Sequence, residues 1–280
     1  MNKQILLKKL KQLFSNNKES AFQINSNHPI SNFIFDFDGV LVKECDIIEK
    51  GYAWLIRAVR ENNFKTEDLN INQNDLEQAF LIRPQVKAKS QAEKISIVNE
   101  KYGNLTLTEE FTEKIIIMWT KDVFTNIILE LFRENPKSYL LDGAESFLKE
   151  TNQIGKVFGL TANIQPQAEF LMEFVGLTKY FQEIVGYPVE IRKNVNLSKQ
   201  KMLINIMKKH GLDAKQTCYI GDSVPDIKAG QGAGILTVGI ANNYPNGAEL
   251  IEQGCDIIAS STAAYSGVIE LIENSKIKHE

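Results

Sequence analysis

The chain has 280 residues, of which 43% are hydrophobic and 24% are charged, and its formal net charge is -3. This length and composition allow a sizeable buried core in one large domain or two small ones. The basic residues form no stripe with interleaved aromatic residues, so nucleic acid is not an expected partner. Three cysteines and three histidines without clustered spacing make a disulfide framework and a structural zinc site equally unexpected.

The beginning of the chain predicts an appendage to the main fold. In residues 1–30, Ile5, Leu6 and Leu10 fall at helical spacing, and residues 25–29 are typical of a linker. A helix that docks on its own domain or lies loose is favoured over one that binds a membrane surface. No segment approaches the roughly 20 apolar residues of a membrane span. With no secretory signal apparent, we expect a cytoplasmic protein.

Residues 45–137 predict a separate helical domain. Apolar residues repeat at helical spacing in four segments, at 47–59, 76–81, 95–98 and 115–131. A unit of roughly 90 residues is large enough to bury its own core. The interpretation is an all-helical domain that is inserted after the first strand of the main fold and lies over the strand ends.

Residues 31–44 and 138–280 predict an α/β core in which strands and helices alternate. An apolar strand that ends in two carboxylates and a glycine is predicted within residues 33–40, and further strand patterns occur at 156–160, 217–220 and 235–238. Helical patterns occur between them at 144–151, 166–175, 198–210 and 225–232. Short apolar strands separated by helices are typical of a parallel sheet with helices on both faces. The fold class is therefore a Rossmann-like α/β core.

Polar residues follow the predicted strands, at the edge where such folds carry out chemistry. The candidates are Asp36, Asp38, Thr161, Lys199, Asp222 and Asp226. Asp36 and Asp38 leave one strand on the same face, because alternate side chains of a strand point the same way. Lys199 begins a predicted helix, and the other three follow later strands. Together these residues predict a site for a phosphoryl group.

Each candidate has a distinct chemical task. A phosphate monoester brings about two negative charges, so a carboxylate nucleophile needs a divalent cation and a lysine beside it. Mg²⁺ prefers oxygen ligands, which Asp36, Asp222 and a backbone carbonyl can supply. Asp36 is the expected nucleophile, and it would form an aspartyl-phosphate. Asp38 is the expected general acid and base.

Three further residues are expected to bind the phosphoryl group. The Thr161 hydroxyl and the Lys199 ammonium would hold the oxygens on which charge is spread in the transition state. Gly39 would allow a sharp turn and donate its N–H to the phosphate. Lys201 competes with Lys199 for this role. Lys199 is preferred because it stands at the helix start, with Leu203 and Ile206 on the buried stripe.

Four segments resemble, in order and spacing, the motifs of the haloacid dehalogenase superfamily of phosphotransferases. They are Asp-Phe-Asp-Gly-Val at 36–40, Leu-Thr-Ala at 160–162, Lys199, and Gly-Asp-Ser-Val-Pro-Asp at 221–226. The helical insert is similar to the cap of phosphoglycolate phosphatases and β-phosphoglucomutase. The resemblance implies Mg²⁺ as cofactor, a small phosphorylated metabolite as substrate between cap and core, and a monomer or homodimer.

The resemblance also implies a role for each matching residue. Asp36 matches the nucleophile and a metal ligand, and Asp38 matches the acid and base that gives its backbone carbonyl to the metal. Thr161 with Ala162, and Lys199, match the phosphoryl-binding positions. Asp222 and Asp226 match the acidic pair that binds the metal, the second directly or through water.

Alternatives to a phosphatase remain open at this point. Asp38 excludes the carbon–halogen and carbon–phosphorus chemistries of the superfamily, whose members lack that acid. It does not exclude a phosphomutase, and a non-catalytic binding protein that keeps the fold is a third hypothesis. Asp226 and Lys199 also stand at helix starts, where polar residues serve as caps.

Substrate choice rests on the inserted helical domain. Lys43 and Glu44 stand where many relatives carry an aspartate and a serine, so no relative's substrate is carried over. Arg83 is the first candidate for a substrate carboxylate or second phosphate. The competing interpretation is that Arg83, Lys87 and Lys89 form a solvated charged face.

Overall fold

The structure is a computed structural model, which describes residues 3–16, 18–23, 30–43, 47–86, 89, 91–188 and 198–277, the last five of these by their backbone alone. It divides into two compact units. One comprises Met1–Lys43 and Lys137–Glu280, and the other comprises Glu44–Pro136. We refer to them as the core unit and the helical unit.

The core unit is built on one sheet, which has seven strands within the described residues. They are β1 (Ala21–Gln23), β2 (Asn32–Phe35), β3 (Lys156–Ile164), β4 (Glu183–Tyr187), β5 (Thr217–Gly221), β6 (Leu236–Ile240) and β7 (Ile257–Ala259). Their order across the sheet is β1-β7-β6-β5-β2-β3-β4. Strand β1 is antiparallel to β7, and every other pairing is parallel. The predicted Rossmann-like sheet is thereby confirmed.

The helices fall into the two units in chain order. The helices of the core unit are α1 (Lys3–Ser15), α7 (Ala144–Ile154), α8 (Gln165–Phe174), α9 (Lys199–His210), α10 (Val224–Ala233), α11 (Tyr244–Gln253) and α12 (Tyr265–Ile277). Those of the helical unit are α2 (Ile47–Glu61), α3 (Gln73–Val86), α4 (Gln91–Tyr102), α5 (Glu109–Ile117) and α6 (Phe124–Phe132). A π-helical turn at Met118–Val123 joins the last two.

Strand β2 lies in the middle of the sheet and fixes the position of the site. All four of its residues are buried, as expected for a parallel strand covered on both faces. Ile34 packs against Phe158 and Tyr219 of the neighbouring strands. Phe35, its last residue, is in register with Gly159 of β3 and Ile220 of β5. Residues that come after these positions in β2, β3 and β5 therefore lie together at the carboxyl edge of the sheet.

The N-terminal residues are more ordered than the sequence predicts. Helix α1 forms as expected, and Leu6 and Leu10 are fully buried in the core unit. The prediction of a plain linker afterwards was wrong for β1, which pairs with β7 as an additional edge strand. Residues 24–29, which include the predicted linker at 25–29, lie outside the described residues. Strands β4 and β7 and helices α11 and α12 were also not predicted.

The helical unit has a core of its own. Trp54 and Trp119 are buried, and the Trp119 indole N–H donates to the Gly51 carbonyl at 2.8 Å. The predicted apolar stripe at 76–81 is wrong in its details, because Phe80 and Leu81 are 58% and 59% exposed. The buried face of α3 instead includes Asp75, which accepts a hydrogen bond from Arg60 at 2.6 Å.

The outer edge of the sheet carries a charged contact between β4 and α9. Glu183 accepts a hydrogen bond from Lys209 at 2.6 Å and lies 2.6 Å from His210 Nε2. Partial burial alone would raise the pKa of Glu183, but the hydrogen bonds from His210 and Lys209 outweigh it and lower that pKa.

Two of the cysteines behave as small apolar residues. Cys218 and Cys255 are buried, and burial raises the pKa of both thiols, that of Cys255 to about 12. A buried thiol with a raised pKa is expected to be unreactive. Cys45 lies outside the described residues. In the part of the chain that the structure describes, no helix is long and apolar enough to cross a membrane.

Candidate active site

The first carboxylate lies directly beyond the end of β2. The Asp36 N–H donates to the Ile220 carbonyl at 2.9 Å and so extends the pairing with β5 by one residue. The Asp36 carboxylate is buried, and its Oδ1 accepts the Phe37 N–H at 2.8 Å. The side chain is therefore held in one orientation at the carboxyl edge of the sheet.

The end of β3 supplies Thr161 and a residue that the sequence analysis missed. Thr161 is fully buried, and its Oγ1 accepts the Asn163 N–H at 3.1 Å. The Asn163 amide then donates to Asp38 Oδ2 at 2.9 Å. Ala162, between the two, is exposed. The last residues of β3 thus contact Asp38 through Asn163, whose N–H also holds the Thr161 hydroxyl.

Lys199 contacts two of the predicted carboxylates. Its Nζ donates to Asp36 Oδ2 at 2.7 Å and to Asp226 Oδ1 at 2.6 Å. Ser198 caps α9 by accepting the Lys201 N–H, while the Lys201 side chain is exposed. The structure therefore brings Lys199, and not its rival, to the site.

The Lys199 ammonium is held in its charged form. Burial alone would lower the pKa of Lys199, but the carboxylates of Asp36 and Asp226 outweigh burial and keep that pKa well above its usual value. A fixed positive charge therefore lies at the edge of the sheet, as binding of a phosphoryl group requires.

The Asp226 carboxylate both caps the start of α10 and contacts Lys199. It is fully buried in the first turn of α10, where its Oδ2 accepts the N–H of the preceding Ser223 at 3.1 Å and also the Ser223 hydroxyl. Its Oδ1 accepts the Tyr219 hydroxyl at 3.1 Å in addition to Lys199. The helix-start interpretation and the site interpretation thus both apply, since the same carboxylate contacts the α10 N-terminus and Lys199.

Asp222 is held by two asparagines that the sequence analysis also missed. The Asn242 amide donates to Asp222 Oδ2 at 3.1 Å and to the Gly39 carbonyl at 3.2 Å. The Asn246 amide donates to the Asp222 carbonyl at 2.7 Å. These residues lie at the start of α11, a helix that was not predicted, so no signal marked them as partners of Asp222.

The Gly39 N–H, which is expected to contact a phosphate, has a partner within the protein, and the phosphate contact stays a prediction. In the structure this N–H donates to the Val42 carbonyl at 2.9 Å, which closes the turn after Asp38. The backbone at Gly39 has φ 72°, as expected for a sharp turn. A Cβ at this position would lie 2.1 Å from Asp222 Oδ2. Glycine is needed here because the carboxylate of Asp222 occupies that space.

Arg83 has a partner within the helical unit. Its guanidinium donates to Glu49, a carboxylate that is 4% exposed. This ion pair accounts for the arginine without a substrate, and substrate recognition by Arg83 stays a prediction. Lys89 Nζ lies 3.9 Å from Glu93 Oε1. Lys87 lies outside the described residues.

The carboxylates fit a magnesium ion. Asp36, Asp222 and Asp226 each offer an oxygen, and these atoms lie within 4.8 Å of one another. Oxygen donors alone are what Mg²⁺ prefers over softer metals. Burial raises the pKa of Asp36 well above its usual value, and Lys199 offsets this only in part. A further positive charge would keep Asp36 ionised.

The comparisons with known proteins identify the family. A model of the haloacid dehalogenase-like hydrolases matches residues 30–234. The chain belongs to this family. Two curated phosphoglycolate phosphatases align with this haloacid dehalogenase-like hydrolase at low identity. That of Vibrio parahaemolyticus is 27% identical over 47% of this chain and 57% of its own length, and that of Aliivibrio fischeri is 29% identical over 48% and 58%.

Solved structures share the fold of this haloacid dehalogenase-like hydrolase over nearly its whole length. The β-phosphoglucomutase from Clostridium difficile superimposes with a TM-score of 0.60 at 18% identity, covering 89% of this chain and 99% of its own. A predicted phosphatase from Clostridium acetobutylicum gives 0.57 at 18% identity, covering 90% and 100%. Identities this low establish the fold alone. The alignments to the two phosphatases span less than two thirds of the length of those relatives.

Proposed function

We propose that this hydrolase cleaves a phosphate monoester of a small metabolite, with Mg²⁺, through an aspartyl-phosphate at Asp36. The contact that supports this most is Lys199 Nζ, 2.7 Å from Asp36 and 2.6 Å from Asp226. It puts a fixed cation beside Asp36, the first carboxylate after the central strand. Asp222 offers a carboxylate oxygen in the same cluster as Asp36 and Asp226, and these three residues would hold the metal ion.

In the first step a carboxylate oxygen of Asp36 attacks phosphorus, and the bond from phosphorus to the leaving oxygen breaks. Asp38 gives that oxygen a proton. The Asn163 amide donates to Asp38 Oδ2, so this oxygen accepts a hydrogen bond and the proton is expected on Oδ1. The alcohol product leaves, and Asp36 carries the phosphoryl group as an acyl phosphate.

In the second step water attacks the phosphorus of the aspartyl-phosphate. Asp38, now ionised, takes a proton from this water, and the bond between Asp36 and phosphorus breaks to release inorganic phosphate. Thr161 and Lys199 hold the phosphoryl oxygens through both steps. When bound, Mg²⁺ offsets the charge of the carboxylates and of the phosphate, which lets two anions approach each other.

The substrate class is a further part of this proposal. The curated relatives are named for phosphoglycolate, which makes a small phosphorylated carboxylic acid the first substrate to try. A phosphomutase that passes the phosphoryl group back to a sugar phosphate is the alternative. The two differ only in whether water or a second hydroxyl accepts the phosphoryl group from Asp36.

A phosphate-release assay separates these functions. The purified chain is incubated with Mg²⁺ and a panel of phosphoglycolate, sugar phosphates and nucleotides, with EDTA and the Asp36→Asn variant as controls. The proposal expects inorganic phosphate from at least one substrate, and none in either control. Isomerisation of a sugar phosphate without phosphate release would favour the mutase. An inert wild type on every substrate would leave only a binding protein.

A further inference from the structure

The N-terminal helix and strand pack against the residues that hold Asp222. The family match begins at residue 30, so α1 and β1 lie outside it. Leu10 of α1 is fully buried. A Cβ placed on Gly247 would lie 2.6 Å from Leu10 Cδ2 and 2.8 Å from the Ala241 Cβ. The Leu10 side chain therefore fills the space in front of Gly247, in the same cluster as Ala241.

Gly247 and Ala241 flank the two asparagines that contact Asp222. Ala241 precedes Asn242, and Gly247 follows Asn246. The two asparagines are also joined to each other, because the Asn242 N–H donates to Asn246 Oδ1 at 3.0 Å. Leu10 thus supports both ends of the turn from which the asparagine amides reach Asp222 and Gly39.

The segment that leads into β1 is also linked to the turn after β2, through Ser260 and Thr262. Ser20, just before β1, donates its N–H to Ser260 Oγ at 2.9 Å and accepts the Ser260 N–H at 2.9 Å. Two residues later, the Thr262 hydroxyl donates to the Val40 carbonyl at 2.8 Å. Val40 follows Gly39 in the turn after β2, so this second link ends one residue after Gly39, whose carbonyl accepts from Asn242.

We propose that α1 and β1 act as a brace that keeps Asp222 and Gly39 in position for Mg²⁺, with Leu10 as its main positioning residue. The inference rests on the proposed function, because it takes Asp222 as a metal ligand. A shortened side chain at position 10 leaves a cavity behind the asparagine turn, and the turn then relaxes toward it. The hydrogen bonds from Asn242 and Asn246 to Asp222 lose their fixed geometry as a result.

The test measures Mg²⁺ affinity in the full chain, from the dependence of its melting temperature on Mg²⁺ concentration. Loss of a hydrogen-bond partner behind a metal ligand weakens affinity by about 10- to 100-fold. We expect the lower end, about tenfold, for Leu10→Ala, with kcat at saturating Mg²⁺ close to that of wild type. Leu10→Val should give a smaller shift in the same direction, and it serves if the alanine variant does not fold.

Two further variants test whether Leu10 affects Mg²⁺ binding through the asparagines and not through stability alone. Leu171→Ala removes an equally buried leucine from α8, which packs on β3 and β4, and should lose stability without a change in Mg²⁺ affinity. In an Asn242→Ala background, Leu10→Ala should weaken Mg²⁺ binding much less than it does alone, since it acts through the asparagine. Wild-type affinity in Leu10→Ala and Leu10→Val, or equal losses in Leu171→Ala, would overturn the brace alone. A wild type that does not bind Mg²⁺ would overturn the proposed function, and the brace with it.

Discussion

Replacement of Gly39 by alanine should weaken Mg²⁺ binding strongly and lower the stability of the fold only slightly. The backbone φ of 72° is a left-handed conformation that costs an alanine about 1–2 kcal/mol. The new Cβ would lie 2.1 Å from Asp222 Oδ2 and 2.5 Å from Asp222 Cγ, so this carboxylate must move. We expect the Mg²⁺ concentration for half-maximal phosphate release to rise about 10- to 100-fold.

The matched control is Gly176→Ala. Gly176 has φ 74°, and no atom among the described residues lies within 4 Å of the Cβ that alanine would add. Urea unfolding should show a loss of about 1–2 kcal/mol in both variants from the backbone alone. Only Gly39→Ala should change the Mg²⁺ titration. The same titration in Gly39→Ala and wild type would refute the placement of Asp222 beside the metal.

Three other predictions concern the remaining contacts. Asn163→Ala removes the hydrogen bond to Asp38 Oδ2 and should lower kcat about tenfold or more without a change in Mg²⁺ affinity, as measured by phosphate release. Lys199→Met should lower kcat/KM by about 100-fold or more, while the exposed Lys201→Met stays near wild type. Folding lowers the pKa of Glu183, so its carboxylate stabilises the fold above the unfolded value of 4.5, and that contribution is lost as pH falls through the folded pKa. As pH falls from 7 through that folded pKa, Glu183→Gln should therefore lose less unfolding free energy than wild type, as measured by urea unfolding.

The residues of the site that sequence reasoning found are those with a local signature. Asp36, Thr161 and Asp222 each follow a buried apolar strand, and parallel strands bring their carboxyl ends together. Lys199 was identifiable because it begins a helix whose buried stripe fixes its direction. Strand periodicity and helix starts are short-range properties, which is why these predictions needed no knowledge of distant contacts.

The partners of these residues were missed because their contacts join distant parts of the chain. Asn242 bonds Gly39, which lies 203 residues earlier in the sequence. No spacing rule connects the two. Strand β1 has three residues and pairs antiparallel at the sheet edge, so it carries no alternation long enough to predict. On α3 the buried face includes Asp75, which pairs with Arg60, while Phe80 and Leu81 are exposed, and an apolar pattern does not reveal this.

The most direct test of the account is to locate the phosphoryl group on the enzyme. The chain is quenched in acid during turnover with Mg²⁺, digested, and the peptide that contains Asp36 is examined by mass spectrometry. For the wild type we expect a phosphorylated peptide with the modification at Asp36. The Asp36→Asn variant should show neither modification nor turnover, and its stability should be close to that of wild type. An Asp36→Asn enzyme that still releases phosphate would contradict it.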